Sequence, residues 1–284
     1  MPYFHHDEID FHYQAIDRQH PQTLIALHGL AQHSDYWMKT GIAEALADYV
    51  NVVALDLRGH GKTPIPHGHP GIDIDTMVED VNALAEHLDL KQFHLMGHST
   101  GGMIASRYAM SYGSEKDQRL HSLLLINGGP STQFSNLPAT ANAVAINMMA
   151  TSFETLPWNI LLQGLKFTPG PLFAGMASSP NKETLYQTAL ELMRDSNGRH
   201  IGQFIRHFYQ DKNPYTERLE KIAAPTLVVT AELDSIFTKM SQYFLDHIPN
   251  VEHAHHPEAG HMTAIECPEW LAEQVTGFMR RMVA

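Results

Sequence analysis

Gly97-His98-Ser99-Thr100-Gly101-Gly102 is the stretch on which the reading of this chain turns. It sets a serine two residues from a glycine on either side. Residues 92–97 (QFHLMG) before it form an apolar run of strand character, and residues 102–112 after it space their apolar side chains as a helix does. A serine on so sharp a strand-to-helix turn stands clear of the backbone, and the flanking glycines let strand and helix pass closely. The five-residue pattern arises by chance in roughly one chain in ten of this length, so the elements on either side carry the inference. They mark Ser99 as a nucleophile.

On both sides of this turn, short β-forming runs alternate with helical periodicity. Strands are expected at residues 23–28 (TLIALH), 51–56 (NVVALD), 92–97, 120–126 (LHSLLLI), 225–231 (PTLVVTA) and, more weakly patterned, 251–255. Helices are expected at 36–49, 75–88, 102–112, 239–247 and 268–282. Residues 9–16 alternate and suggest an antiparallel edge hairpin. The pattern implies an α/β fold with a mostly parallel central sheet flanked by helices. Residues 130–218 break the rhythm with helix-like segments punctuated by Pro138, Pro157, Pro169, Pro171 and Pro180. They are expected to form an inserted helical lid on a core built from residues 1–129 and 219–284. The lid's apolar set is Met148, Met149, Phe153, Trp158, Leu161, Leu162, Phe167, Phe173 and Met176. Met149, Phe153 and Trp158 are the expected substrate contacts. The lid is expected to tune selectivity while supplying no triad member and no oxyanion donor.

A serine hydroxyl needs a base, and the base needs a carboxylate to hold its tautomer. For a serine in this strand–turn–helix setting the partners follow in the order Ser, acid, His. Asp234 lies just after residues 225–231, and His261 lies in a loop ahead of the last helix, so these two are the expected acid and base. Glu232 is the nearest rival acid. Two backbone N–H groups should receive the developing oxyanion. Thr100, next to the nucleophile at a helix start, supplies one, and Leu30, in the loop after residues 23–28, supplies the other. His28 reads as a structural histidine that steadies that loop.

Composition narrows the partners. The chain has 284 residues, 43% hydrophobic and 18% charged, with a formal net charge of -12. An acidic surface repels phosphate backbones and anionic lipid, so a small-molecule ester substrate is expected, with neither nucleic acid nor membrane as partner. The first eight residues lack a basic segment followed by an apolar one, no apolar stretch approaches 18 residues, and Cys267 is the single cysteine, which together suggest a cytoplasmic protein. Twenty histidines, clustered at His67-Gly68-His69 and at His253-Ala254-His255-His256, invite a metal reading. No Cys, Asp or Glu stands beside them at zinc-ligand spacing, so neither a metal nor an organic cofactor is expected.

These features resemble the α/β-hydrolase superfamily over nearly the whole chain apart from the lid. The resemblance rests on His28-Gly29, on Asp56-Leu57-Arg58-Gly59-His60-Gly61, on the turn around Ser99, on Pro225 to Val228 leading to Asp234, and on Gly260-His261 followed by Glu266-Cys267-Pro268. It implies the α/β-hydrolase fold and a lidded serine carboxylesterase-like activity, with Arg58 to Gly61 as a structural turn. Relatives with these features also include lactonases, carbon–carbon bond hydrolases and cofactor-free perhydrolases, and a non-catalytic ligand receptor is a further reading of the fold. Two departures stand out. Ala231 replaces a frequent Gly, and Asn127 sits at a strand end where some members place their acid. Serine rather than aspartate at the turn argues against dehalogenase or epoxide-hydrolase chemistry.

Overall fold

The computed structural model describes residues 2–65, 71–114, 117–132, 139–170, 172–210 and 215–283; the His67-Gly68-His69 cluster lies outside them. Eight strands form one sheet: β1 (Tyr3–His6), β2 (Ile9–Ile16), β3 (Thr23–Leu27), β4 (Asn51–Leu55), β5 (Phe93–His98), β6 (Leu120–Ile126), β7 (Thr226–Ala231) and β8 (Val251–His256). Their order is β1-β2-β4-β3-β5-β6-β7-β8. β2 pairs antiparallel with β1 and with β4, and every other neighbouring pair is parallel. β3, β5 and β7 are buried along their whole length. Coverage of both faces is what makes them read as unbroken apolar runs, whereas β2, near the sheet edge, is buried at Ile9 and from Phe11 to Tyr13 and opens to solvent toward Ile16.

Helices α1 (Asp35–Lys39), α2 (Ile42–Leu46), α3 (Ile74–His87) and α4 (Thr100–Tyr112) follow the early strands. The single helix expected at 36–49 is two short ones. Gly41 adopts φ +81° between them, a left-handed conformation that interrupts the helical ladder. α3 starts where the Asp73 side chain accepts the Thr76 N–H at 2.8 Å.

Between β6 and β7 the described residues form α5 (Ala139–Thr155), α6 (Trp158–Phe167), α7 (Ala174–Ser178), α8 (Lys182–Met193), α9 (Gly198–Phe208) and a 3-10 turn at Thr216–Lys221. α9 buries Ile201, Phe204, Ile205 and Phe208, the i, i+3, i+4, i+7 stripe of one helix face. α5 packs on α9, and Arg206 pairs with Glu154 at 2.6 Å across the two helices. α10 (Phe237–His247), α11 (Thr263–Glu266) and α12 (Pro268–Met282) complete the chain. Among the described residues no helix is long and apolar enough to cross a membrane.

Parallel pairing has one consequence for chemistry. The C-terminal ends of β3, β5, β6 and β7 all open on the same edge of the sheet. His28, Ser99, Asn127 and Asp234 follow those ends, and such an edge is where open α/β sheets bind ligands.

Candidate active site

Ser99 is forced into place by backbone crowding. It has φ +54° and ψ -116°, outside the ordinary allowed regions for a side-chain-bearing residue. Its own N–H donates to the Ile126 carbonyl at 2.9 Å, which locks the turn to β6. A Cβ at residue 97 would lie 2.1 Å from the Gly101 carbonyl oxygen, and one at residue 101 would lie 2.4 Å from that of Leu27. The two glycines are therefore required by the close pass of β5, α4 and β3.

The loop between β8 and α11 delivers His261. Its Nε2 lies 2.8 Å from Ser99 Oγ, and its Nδ1 lies 2.8 Å from Asp234 Oδ2. A carboxylate only accepts, so Nδ1 carries the ring proton and Nε2 is left to accept the Ser99 O–H. Asp234 is fully buried. It also accepts the Phe237 N–H at 3.1 Å and the Asn127 side-chain amide at 3.0 Å. Burial pushes its pKa up, but His261 and these donors outweigh burial and hold it below the usual carboxylate value. Glu232, the rival acid, is exposed and faces His255 at 3.3 Å.

Leu30 and Thr100 flank the serine from the β3 loop and the start of α4. Neither backbone N–H is engaged in a hydrogen bond among the described residues. Thr100 begins α4, where unsatisfied N–H groups and the helix dipole favour negative charge. His28 holds the loop beside Leu30. Its Nδ1–H donates to the Gly29 carbonyl at 2.7 Å, and its Nε2 accepts the Leu57 N–H at 3.0 Å. Burial lowers its pKa to about 4, so it stays neutral.

Ser99 and His261 open into a cavity of about 420 Å³. Met149, Phe153 and Trp158 line it, as do Leu161, Leu162 and Phe173. The rest of the expected apolar set falls elsewhere. Met148 and Phe167 are 67% and 82% exposed, and Met176 is buried away from the cavity. Residues 148 and 149 differ because one helical step of about 100° turns a side chain from the cavity to solvent. Among the described residues the lining contains no Asp, Glu, Lys or Arg.

Three polar residues at the site were not singled out from the sequence as site residues. Asn127, besides its bond to Asp234, accepts the Thr263 hydroxyl at 2.9 Å and so braces the acid against α11. Gln32 lines the cavity and accepts the Gly29 N–H at 2.8 Å. Tyr209 lines it from beyond α9, with its hydroxyl 2.8 Å from Thr100 Oγ1. Asn127 had a local signal, its place at a strand end where an acid can sit; Gln32 and Tyr209 had none.

Among the described residues no three His, Cys, Asp or Glu side chains are grouped to hold a metal ion. His253 and His255 both bond to Thr230 Oγ1 at 2.8 Å. The Cys267 thiol is pushed up to about 12 by burial and donates to the Thr263 carbonyl, which leaves it a poor nucleophile.

Comparison with known proteins agrees with this architecture. The family model of the alpha/beta hydrolase fold matches residues 22–268. A non-heme chloroperoxidase of Kitasatospora aureofaciens is 28% identical over 220 residues, 75% of this chain and 74% of that protein. A carboxylesterase structure from the Thaumarchaeon Nitrososphaera gargenis superposes with a TM-score of 0.81 at 17% identity, covering 99% of this chain and 98% of that one. The enol-lactonase from Burkholderia xenovorans LB400 superposes with a TM-score of 0.79 at 18% identity, covering 98% and 100%.

Proposed function

The chain belongs to the alpha/beta hydrolase fold family, and from that premise we propose that it is a serine hydrolase cleaving small, fairly apolar carboxylic esters through an acyl-enzyme. The observation that carries this reading is the relay Asp234–His261–Ser99, two contacts of 2.8 Å ending at the mouth of an apolar cavity. His261 Nε2 takes the Ser99 proton as Oγ bonds to the ester carbonyl carbon. The Leu30 and Thr100 N–H groups receive the oxyanion. Collapse breaks the bond to the alcohol oxygen, which leaves with the proton from His261. Water then attacks the acyl-enzyme, giving its proton to His261, and the acid is released as Ser99 is restored. Asp234 stays ionised and orients the imidazole. No metal or organic cofactor enters these steps.

Residues 130–218 serve in this reading as a lid whose Met149, Phe153 and Trp158 bind the acyl or alcohol portion. The lining of the cavity by uncharged side chains among the described residues favours neutral substrates, lactones included, over carboxylate-bearing ones. The net charge of -12 disfavours polyanionic partners. The likeness to the chloroperoxidase supports a second reading, perhydrolysis, in which hydrogen peroxide replaces water, the acyl group leaves as a peracid and the Ser99 hydroxyl is restored.

An organophosphonate probe followed by peptide mass spectrometry is expected to label Ser99 alone. A panel of esters, lactones and ring-cleavage diketones, run with and without hydrogen peroxide, is expected to show ester turnover above the Ser99→Ala background. Labelling elsewhere refutes the nucleophile. Turnover of a diketone but of no ester refutes the substrate class.

A further inference from the structure

His261 and the residues on either side of it are each held from outside the triad. The Gly260 N–H donates to Glu266 Oε2 at 2.8 Å, and the Met262 N–H donates to Glu266 Oε1 at 3.0 Å. Between them the His261 carbonyl accepts the ring Nε2–H of His98 at 2.8 Å. One carboxylate therefore straddles His261, taking the N–H before it and the N–H after it. The Glu266 side chain reaches back to them from the last residue of α11, and both of its oxygens are committed to this loop.

The same carboxylate meets the helical segment. A Cβ at residue 175, in α7, would collide with Glu266 Oε2 and lie 2.5 Å from the Gly260 nitrogen. One at residue 260 would lie 2.8 Å from the Gly175 nitrogen and 3.2 Å from Glu266 Oε1. Two bare backbones thus close on each other beside the carboxylate. Gly175 is buried, and neither it nor Glu266 is among the described residues that line the cavity.

On the serine-hydrolase reading, the relay asks more of His261 than of any other group. Its Nε2 serves Ser99, then the leaving alcohol oxygen, then water. While the proton is in transit the contact with Ser99 is broken, and Asp234 holds the ring from Nδ1. A backbone fixed on both sides confines the remaining motion to the side-chain torsions. A placement error of about 1 Å can cost on the order of 100-fold in rate.

We propose that Glu266 is a positioning residue for the base, clamping residues 260–262 so that Nε2 stays within reach of each oxygen it serves, and that Gly175 is where the helical segment bears on this clamp. The proposal rests on the serine-hydrolase reading. Through Gly175 the seating of the helical segment then governs how well the base is placed, besides which chain fits the cavity.

Glu266→Ala removes both acceptors, whereas Glu266→Gln keeps one, because an amide nitrogen only donates. On an ester that the parent turns over, kcat should fall about 100-fold in the first and about tenfold in the second, with KM within about twofold. Organophosphonate labelling of Ser99 should slow in the same order. Gly175→Ala leaves Glu266 in place but forces it or α7 aside. It should lower kcat by about tenfold, and in the Glu266→Ala background it should cost less than it does alone. Asp73→Ala, which removes the cap of α3, is the control for lost stability: it should lower Tm and leave kcat at the parental value. A folded Glu266→Ala with kcat within about threefold of the parent, or with a loss confined to KM, overturns the clamp. Should Glu266→Ala not fold, Glu266→Gln is judged by the same readings. An Asp73→Ala that loses as much kcat as Glu266→Gln also overturns it, since destabilisation then accounts for both. Parental kcat in Gly175→Ala, or a double variant whose loss is the product of the single losses, overturns the contact with the helical segment. Parent enzyme that neither labels at Ser99 nor cleaves esters overturns the serine-hydrolase reading instead.

Discussion

The sheet edge and the helical segment face each other across one cavity, and they hold their residues by different means. At the sheet edge the side chains of Ser99, His261 and Asp234 are each pinned. Ser99 is wedged by two backbone passes, His261 is bonded at both ring nitrogens, and Asp234 takes three hydrogen bonds while fully buried. In the helical segment Met149, Phe153 and Trp158 are half-buried side chains on helix faces whose neighbours, such as Met148, stand in water. The Trp158 ring N–H does donate to the Ser196 carbonyl at 3.0 Å, and Phe153 meets Trp158 edge-on at 5.5 Å. These contacts fix shape loosely and charge hardly at all. On the proposed function, the reaction steps that need placement to a fraction of an ångström are expected of the first region, and discrimination among chain lengths of the second.

The largest effect should come from removing the nucleophile. Ser99→Ala is expected to lower kcat by on the order of 10⁶-fold, the scale seen when a catalytic serine is deleted, with its melting temperature no lower than the parent's. A residual rate within tenfold of the parent would detach the chemistry from the sheet edge.

Acid should come next, acting on the sheet region. His28 is lowered by burial to about 4, and His60, His94 and His98 to about 3, from the ordinary 6.5. As pH falls below about 6.5 the unfolded chain takes up protons that these four refuse in the folded state. Stability is therefore full above that pH and declines toward pH 4, by up to about 1.4 kcal/mol per pH unit for each histidine. Urea titrations at pH 7, 6 and 5 should show a falling midpoint. A flat profile would mean the four are not held neutral.

Smaller still, Met149→Ala, Phe153→Ala and Trp158→Ala should each shift preference along acetate, butyrate, hexanoate and octanoate esters by about 1 to 3 kcal/mol, read as ratios of kcat/KM, with phosphonate labelling of Ser99 retained. Unchanged profiles in all three would assign these residues to packing alone. Smallest of all, Met148→Ala and Phe167→Ala should leave the profile and the melting transition within about 0.5 kcal/mol of the parent, as substitutions of solvent-facing side chains do. A changed chain-length profile in Met148→Ala would show that the helix turns in use.

The sequence by itself determined whatever is enforced over a few residues. The buried strands announce themselves because a strand covered on both faces must be apolar along its length. The turn at Ser99 announces itself because no side chain fits at residues 97 and 101. Order along the chain then brought Asp234 and His261 under consideration among 31 acidic residues and 20 histidines. Tertiary structure alone decided the rest. That Glu232 faces away while Asp234 turns inward, that Asn127 braces the acid, and that Met149 rather than Met148 meets the cavity all depend on rotations and long-range contacts that leave no local pattern. Tyr209 and Thr100 are 109 positions apart. Nothing in the residues around either one requires the other, because a hydrogen bond between distant side chains is imposed by the packing of whole elements and not by the backbone that joins their neighbours.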